Sequence, residues 1–81
     1  MYYVYILQSK VDDWRYVGYS SELKESLDDH NRGKVKSTKA HRPFKIANYI
    51  AVENKEIAMN LGKYLKRGSG IAWMNKRLFM C

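Results

Sequence analysis

Apolar and polar positions change period several times along the chain, and each change marks an element. Residues 2–7 (YYVYIL) form an unbroken aromatic and β-branched run, which predicts a strand buried on both faces. Lys10 to Asp13 supplies a polar, acidic turn, and Trp14–Tyr19 resumes the extended pattern, so the two segments predict a β-hairpin. Ser20 and Ser21 then offer an N-cap, Glu22 falls in the first turn, and Leu23 and Leu27 repeat at helical spacing. Asn31 and Gly33 end that helix. Residues 33–43 have loop composition and close on Pro43, and Phe44–Ala51 predicts a third strand. Asn54 caps a second helix whose buried stripe is Ala58, Leu61 and Leu65. Gly68-Ser69-Gly70 breaks it, and Ile71–Phe79 predicts a short last helix. The order β-β-α-β-α-α implies an α/β (α+β) fold, a three-stranded antiparallel sheet flanked by helices.

Composition narrows the class. The 81 residues suit one compact domain, 1–81, and the 46% apolar and aromatic content predicts a folded core. Cys81 is the single cysteine, so neither a disulfide framework nor a cysteine-based zinc module is available, and it is expected to be an incidental thiol in a reducing cytoplasm. The run MYYVYIL at 1–7 is too short to span a bilayer and lacks the basic lead-in of a signal peptide, so no membrane partner is expected.

Charge changes the picture more. Fifteen Lys and Arg oppose eight Asp and Glu, a formal +7 with a pI near 9.6. The distribution is uneven. Glu22, Glu25, Asp28 and Asp29 cluster, whereas residues 30–52 hold no acid but carry Arg32, Lys34, Lys36, Lys39, Arg42 and Lys45. A second acid-free stretch, 57–81, carries Lys63, Lys66, Arg67, Lys76 and Arg77. Two such blocks predict a basic surface able to follow a phosphate backbone.

Several short segments then carry a family resemblance. VYI at 4–6 and YVG at 16–18 look like the paired motif of the GIY-YIG nuclease superfamily. SELKESLDDHN at 21–31, GKVKSTKAHRPFK at 33–45 and AMNLGKYLKRGSG at 58–70 extend the match over nearly the whole chain. They are similar to the small, stand-alone bacterial-type members that resemble the N-terminal nuclease domain of the excision-repair endonuclease.

The resemblance implies a metal-assisted phosphodiester hydrolysis, which requires a base near the attacking water, a cation on the developing charge and a divalent metal at the leaving side. On the family pattern the two strand tyrosines are Tyr5 and Tyr16, and the helix-end His or Tyr is His30. Tyr19, just beyond the YVG, matches a position where relatives carry Lys, Tyr or a similar residue, and is a candidate phosphate contact. Tyr2, Tyr3, Tyr49 and Tyr64 are expected to pack, as is Trp73, with Asn75 on the surface. Tyr5 and Tyr16 should lie on neighbouring antiparallel strands, with Ser26 and His30 facing them across a shallow cleft.

Two positions depart from the pattern. The family's helix arginine is replaced by Ser26, one turn from His30 on the same face, and a neutral hydroxyl cannot do the work of a bidentate guanidinium. The metal-binding glutamate, which would hold Mg²⁺, is replaced by Gly62, and no metal ligand takes over. Glu56 lies six residues earlier, about 240° round the helix, Asn60 also turns away, and Glu53 precedes the helix. The expected function is therefore binding of DNA, or of branched nucleic acid, with hydrolysis lost or severely impaired. Lys34, Lys36, Lys39, Arg42, Lys45, Lys63, Lys66 and Arg67 are the candidate backbone contacts. The alternatives are an active Mg²⁺-dependent endonuclease with unexpected ligands, and a basic RNA- or protein-interaction module on the same fold.

Overall fold

A computed structural model describes residues 1–79; Cys81 and its expected incidental thiol lie outside the described residues. Strand β1 (Tyr2–Ser9) pairs antiparallel with both β2 (Arg15–Ser20) and β3 (Phe44–Val52), so the sheet order is β2-β1-β3. Helix α1 (Leu23–Asn31) follows the hairpin, and α2 (Lys55–Leu65) and α3 (Gly68–Met74) follow β3. A single 3-10 turn (Lys39–His41) interrupts the basic loop, and a π-helical turn (Asn75–Phe79) extends α3.

The consecutive apolar run of β1 is explained by its central place. Val4, Tyr5, Ile6 and Leu7 are all buried, and successive side chains point to opposite faces. Val4 and Ile6 join Val17, Ala58, Leu65 and Met74 beneath α2 and α3. Tyr5 and Leu7 join Phe44 on the other face, with Leu23 and Leu27 of α1 packed against them. The pairing of β1 with β3 slips between Ile6 and Leu7, leaving Ala47 as an extra residue in β3.

Several local expectations are corrected. Ser20 and Ser21 do not cap α1. The Ser20 hydroxyl accepts from the Glu22 amide at 2.9 Å, a turn that spends the cap one residue early, and Glu22 stands at the N-cap position without a side-chain bond. Asn54 does cap α2, accepting from the Ile57 amide at 3.0 Å. Gly68-Ser69-Gly70 opens α3 rather than separating two helices, because α3 starts hard against the end of α2. A Cβ on Gly70 would collide with the Tyr64 carbonyl oxygen. Tyr49, Tyr64 and Trp73 are exposed at 56%, 42% and 37%, so they are not core residues. Each lies on the outer side of its element, whereas Ala58, Leu65 and Met74 take the inner side. Asn75 is half-buried and accepts a bond from the Arg15 guanidinium at 3.0 Å. Among the described residues no helix is long and apolar enough to cross a membrane.

Candidate functional site

The hairpin register sets the first two residues of the site. Tyr5 pairs with Gly18 and Leu7 with Tyr16, so Tyr5 and Tyr16 are diagonal neighbours on the face that α1 covers. Gly18 lies between them. A Cβ there would come within 2.6 Å of the Tyr5 hydroxyl and 2.9 Å of the Tyr16 ring, so only glycine lets the Tyr5 phenol lean across β2.

His30, at the buried end of α1, completes the arrangement. The Tyr5 hydroxyl lies 3.1 Å from His30 Nε2, and His30 Nδ1 lies 2.8 Å from the Thr38 hydroxyl. Thr38 in turn donates to the Val35 carbonyl at 3.3 Å. Its one proton is thus committed, and its oxygen accepts from Nδ1–H. This arrangement suits the Nδ1–H imidazole, whose Nε2 lone pair accepts from the Tyr5 O–H. Burial pushes the Tyr5 phenol up to about 12, reinforced by the neighbouring Tyr16; the Ser26 hydroxyl, also facing Tyr5, works against the shift. Burial likewise lowers the His30 imidazole, while the Asp29 carboxylate opposes it. Both partners therefore stay neutral near pH 7. A proton taken up at the Tyr5 oxygen from a neighbouring donor could be matched by release of the phenolic proton to His30 Nε2.

Tyr5 and His30 are only 5% and 3% exposed, so this pair forms a buried floor rather than one wall of an open cleft. Tyr16 is the half-buried ring that meets the outside. Its surroundings join the two basic stretches. Lys66 reaches round the free edge of β2 and sets its ammonium 5.5 Å from the Tyr16 ring centroid. Trp14 stacks on the other side at 6.1 Å, and His41, from the basic loop, stacks on Trp14 at 4.1 Å with a 10° interplanar angle. Asp12 bonds His41 Nδ1 at 2.7 Å, which holds the carboxyl below its usual range. The loop is strapped further by Ser9, which donates to the His41 carbonyl at 2.6 Å, and by Asn31, whose amide brackets the Phe44 backbone.

The eight candidate cations are all exposed. Lys39 and Arg42 flank His41 in the loop, while Lys34 pairs with Asp29 at 3.5 Å. Lys36 stands in the same loop. Arg67 stands at the N-cap position of α3 without a side-chain bond, and Lys63, in the last turn of α2, lies three residues before the C-cap Lys66. Lys45 is set apart on β3, beside Gln8, Leu78 and Phe79. Tyr19 faces α2, where a Cβ on Gly62 would sit 3.9 Å from its ring. Trp14 and His41 escaped the sequence reading, which took Thr38 only as a polar donor of the basic loop. The Trp14–Tyr16 spacing, two residues on one strand face, was the available signal for the first; nothing local marked the second.

The family's Mg²⁺ does not suit this donor set. A magnesium ion needs hard oxygen ligands, at least one of them a carboxylate. The wall around Gly62 supplies Tyr19, Lys63 and Lys66 instead. The adjacent cleft, about 430 Å³, contains one carboxylate, Asp13, among Arg15, Lys66 and Asn75. Among the described residues no three His, Cys, Asp or Glu side chains gather where a metal could be held.

Comparison with known proteins agrees with the fold and the motifs. The GIY-YIG catalytic domain family matches residues 1–75. A UPF0213 protein of Streptococcus pyogenes serotype M3 is 36% identical over 66 residues, covering 80% of this chain and 71% of that protein. The UPF0213 protein YsiG of Lactococcus lactis is 38% identical over 66 residues, covering 80% of this chain and 62% of that protein. The solution NMR structure of the UPF0213 protein BH0048 from Bacillus halodurans aligns with a TM-score of 0.57 at 30% identity, covering 96% of this chain and 87% of that one. With the family matched over residues 1–75 and relatives of this length and identity, the chain belongs to the GIY-YIG nuclease-type family alongside the UPF0213 proteins.

Proposed function

We propose that this chain grips a nucleic-acid backbone, DNA in preference to RNA, and hydrolyses it feebly or not at all. One observation carries the reading. The strip Lys66–Tyr16–Trp14–His41 joins the two basic stretches of sequence along one side of the buried Tyr5–His30 pair. Phosphates held by such a strip would lie within reach of the Tyr16 hydroxyl, with Lys39 and Arg42 continuing the positive track.

Hydrolysis is the weak point. The proton-handling pair survives, but Ser26 brings no fixed positive charge to the phosphorane, and the Gly62 wall brings no carboxylate to a metal. One observation favours an active Mg²⁺-dependent endonuclease instead: Asp13 lines the same cleft as Tyr16 and Lys66. Two assays on the whole chain decide. Fluorescence anisotropy with duplex DNA, branched DNA and RNA at several salt concentrations should show salt-sensitive binding, tighter for DNA. A supercoiled plasmid incubated with Mg²⁺ or Mn²⁺ should stay intact. Absence of DNA binding at low salt would defeat the first half of the reading, and Tyr16-dependent nicking the second.

A further inference from the structure

Loss of the family glutamate leaves a notch of about 200 Å³ between α2 and the free edge of β2. Gly18, Tyr19, Met59 and the buried Gly62 line it, together with the exposed Lys63 and Lys66. No acidic side chain lines it. Lys63 lies in the last turn of α2 and Lys66, three residues on, is its C-cap in helical conformation, so the two stems leave the same side of the helix end.

We infer that this notch is a phosphate-binding pocket that works without a metal, the two lysines taking the place of a carboxylate and its divalent cation. The inference rests on the proposed nucleic-acid reading and assigns the contact within it. A phosphate needs a positive environment and several donors. Two ammonium groups bring three N–H donors each, and Tyr19 lines the same notch. Magnesium needs the opposite, and two lysines lining this notch repel a divalent cation. The glycine matters sterically. A Cβ at position 62 would meet only the Tyr19 ring, at 3.9 Å, so any longer side chain grows into the space that an anion would use. Lys66 also stands over Tyr16, which places a phosphate held here next to the phenol at the mouth of the site.

The shared chemistry is a phosphate group, and its source is either an internal phosphodiester or a terminal monoester. The test is an amide-resolved NMR titration of the full chain in EDTA. The probes are inorganic phosphate, a short single strand with a 5′-hydroxyl, and the same strand with a 5′-phosphate. The Gly18, Gly62, Lys63 and Lys66 amides should shift with all three probes. A gain of about tenfold for the 5′-phosphorylated strand would identify the monoester, and equal affinity the diester. Lys66→Gln should weaken strand binding about tenfold and leave the fold intact. Gly62→Glu should abolish the metal-free shifts and make the remaining binding respond to Mg²⁺. Shifts spread evenly over every lysine, or unchanged strand affinity in both variants, would overturn the pocket while leaving nucleic-acid binding in place. Parent binding that requires Mg²⁺ would overturn it as well. Failure of every strand to bind would defeat the nucleic-acid reading itself; phosphate shifts confined to the notch would then still support the pocket, and their absence would end both.

Discussion

The Tyr5 hydroxyl is hydrogen-bonded to His30 Nε2 at 3.1 Å across 25 positions of sequence, and both groups are buried and held neutral. This bond ties the central strand to the end of α1. Through Nδ1 it continues to Thr38, in the loop that carries the first basic block. The candidate chemical pair and the candidate binding loop are therefore one hydrogen-bonded unit.

Because each partner prefers its neutral form in the folded chain, stability should fall at both ends of the pH range. The Tyr5 phenol is raised from 10.0 to about 12, so its contribution is whole below pH 10 and is lost as the pH climbs from there through about 12. The His30 imidazole is lowered from 6.5, so its contribution is whole above 6.5 and is lost as the pH falls through the depressed folded value. Urea denaturation at a series of pH values should show Tyr5→Phe with a shallower alkaline loss than the parent, and His30→Gln with a shallower acid loss. A Tyr5→Phe curve parallel to the parent above pH 10 would contradict the buried neutral phenol.

Thr38 should matter more than a loop threonine ordinarily does. Replacing it with valine keeps the shape and leaves His30 Nδ1–H without its acceptor, at a cost of about 1–3 kcal/mol. Thr38→Ser should restore most of that. Nitrogen-15 shifts of the His30 ring should report the Nδ1–H tautomer in the parent and the serine variant. Observation of the Nε2–H tautomer in the parent would reverse the direction of the Tyr5 bond.

Salt dependence measures the basic surface. Neutralising about 4–6 phosphates on duplex DNA would give a log–log slope of roughly −3 to −5. Changing Lys36, Lys39 and Arg42 together to Ala should flatten that slope by about 3 and leave the circular dichroism spectrum unchanged. An unaltered slope would take the loop out of the binding face.

Restoring the two missing groups should restore chemistry. The combined loss of a phosphate-stabilising cation and a metal ligand predicts a deficit of more than about 10³-fold in nicking rate. Ser26→Arg with Gly62→Glu should recover Mg²⁺-dependent plasmid nicking, and neither change alone should do much. The glutamate has room to enter and removes a helix-interior glycine, worth roughly 1 kcal/mol. Efficient nicking by the parent, abolished by Tyr16→Phe, would show that the two departures are harmless.

What the chain determines locally was legible in it. The run of Val4 to Leu7 announced a strand covered on both faces, Asn54 announced the start of α2, and the order of elements followed from changes of period, each a property of neighbouring residues. The family motifs in turn marked Tyr5, Tyr16 and His30, which the hairpin register and the end of α1 bring side by side. Other features depend on contacts between remote positions. Lys66 lies at the free edge of the sheet only because β1 takes the centre and α2 packs beside β2. His41 finds Trp14 because Ser9, Asp12 and Asn31 fold the basic loop back onto the hairpin. Thr38 reads as one more polar loop residue until the end of α1 buries it against His30. Gly68 and Gly70 look like a helix break until the close approach of α3 to Tyr64 makes them its first turn. Periodicity and caps record what a residue does to its own few neighbours. Where one side chain meets another tens of residues away is decided by packing, in which the whole chain takes part.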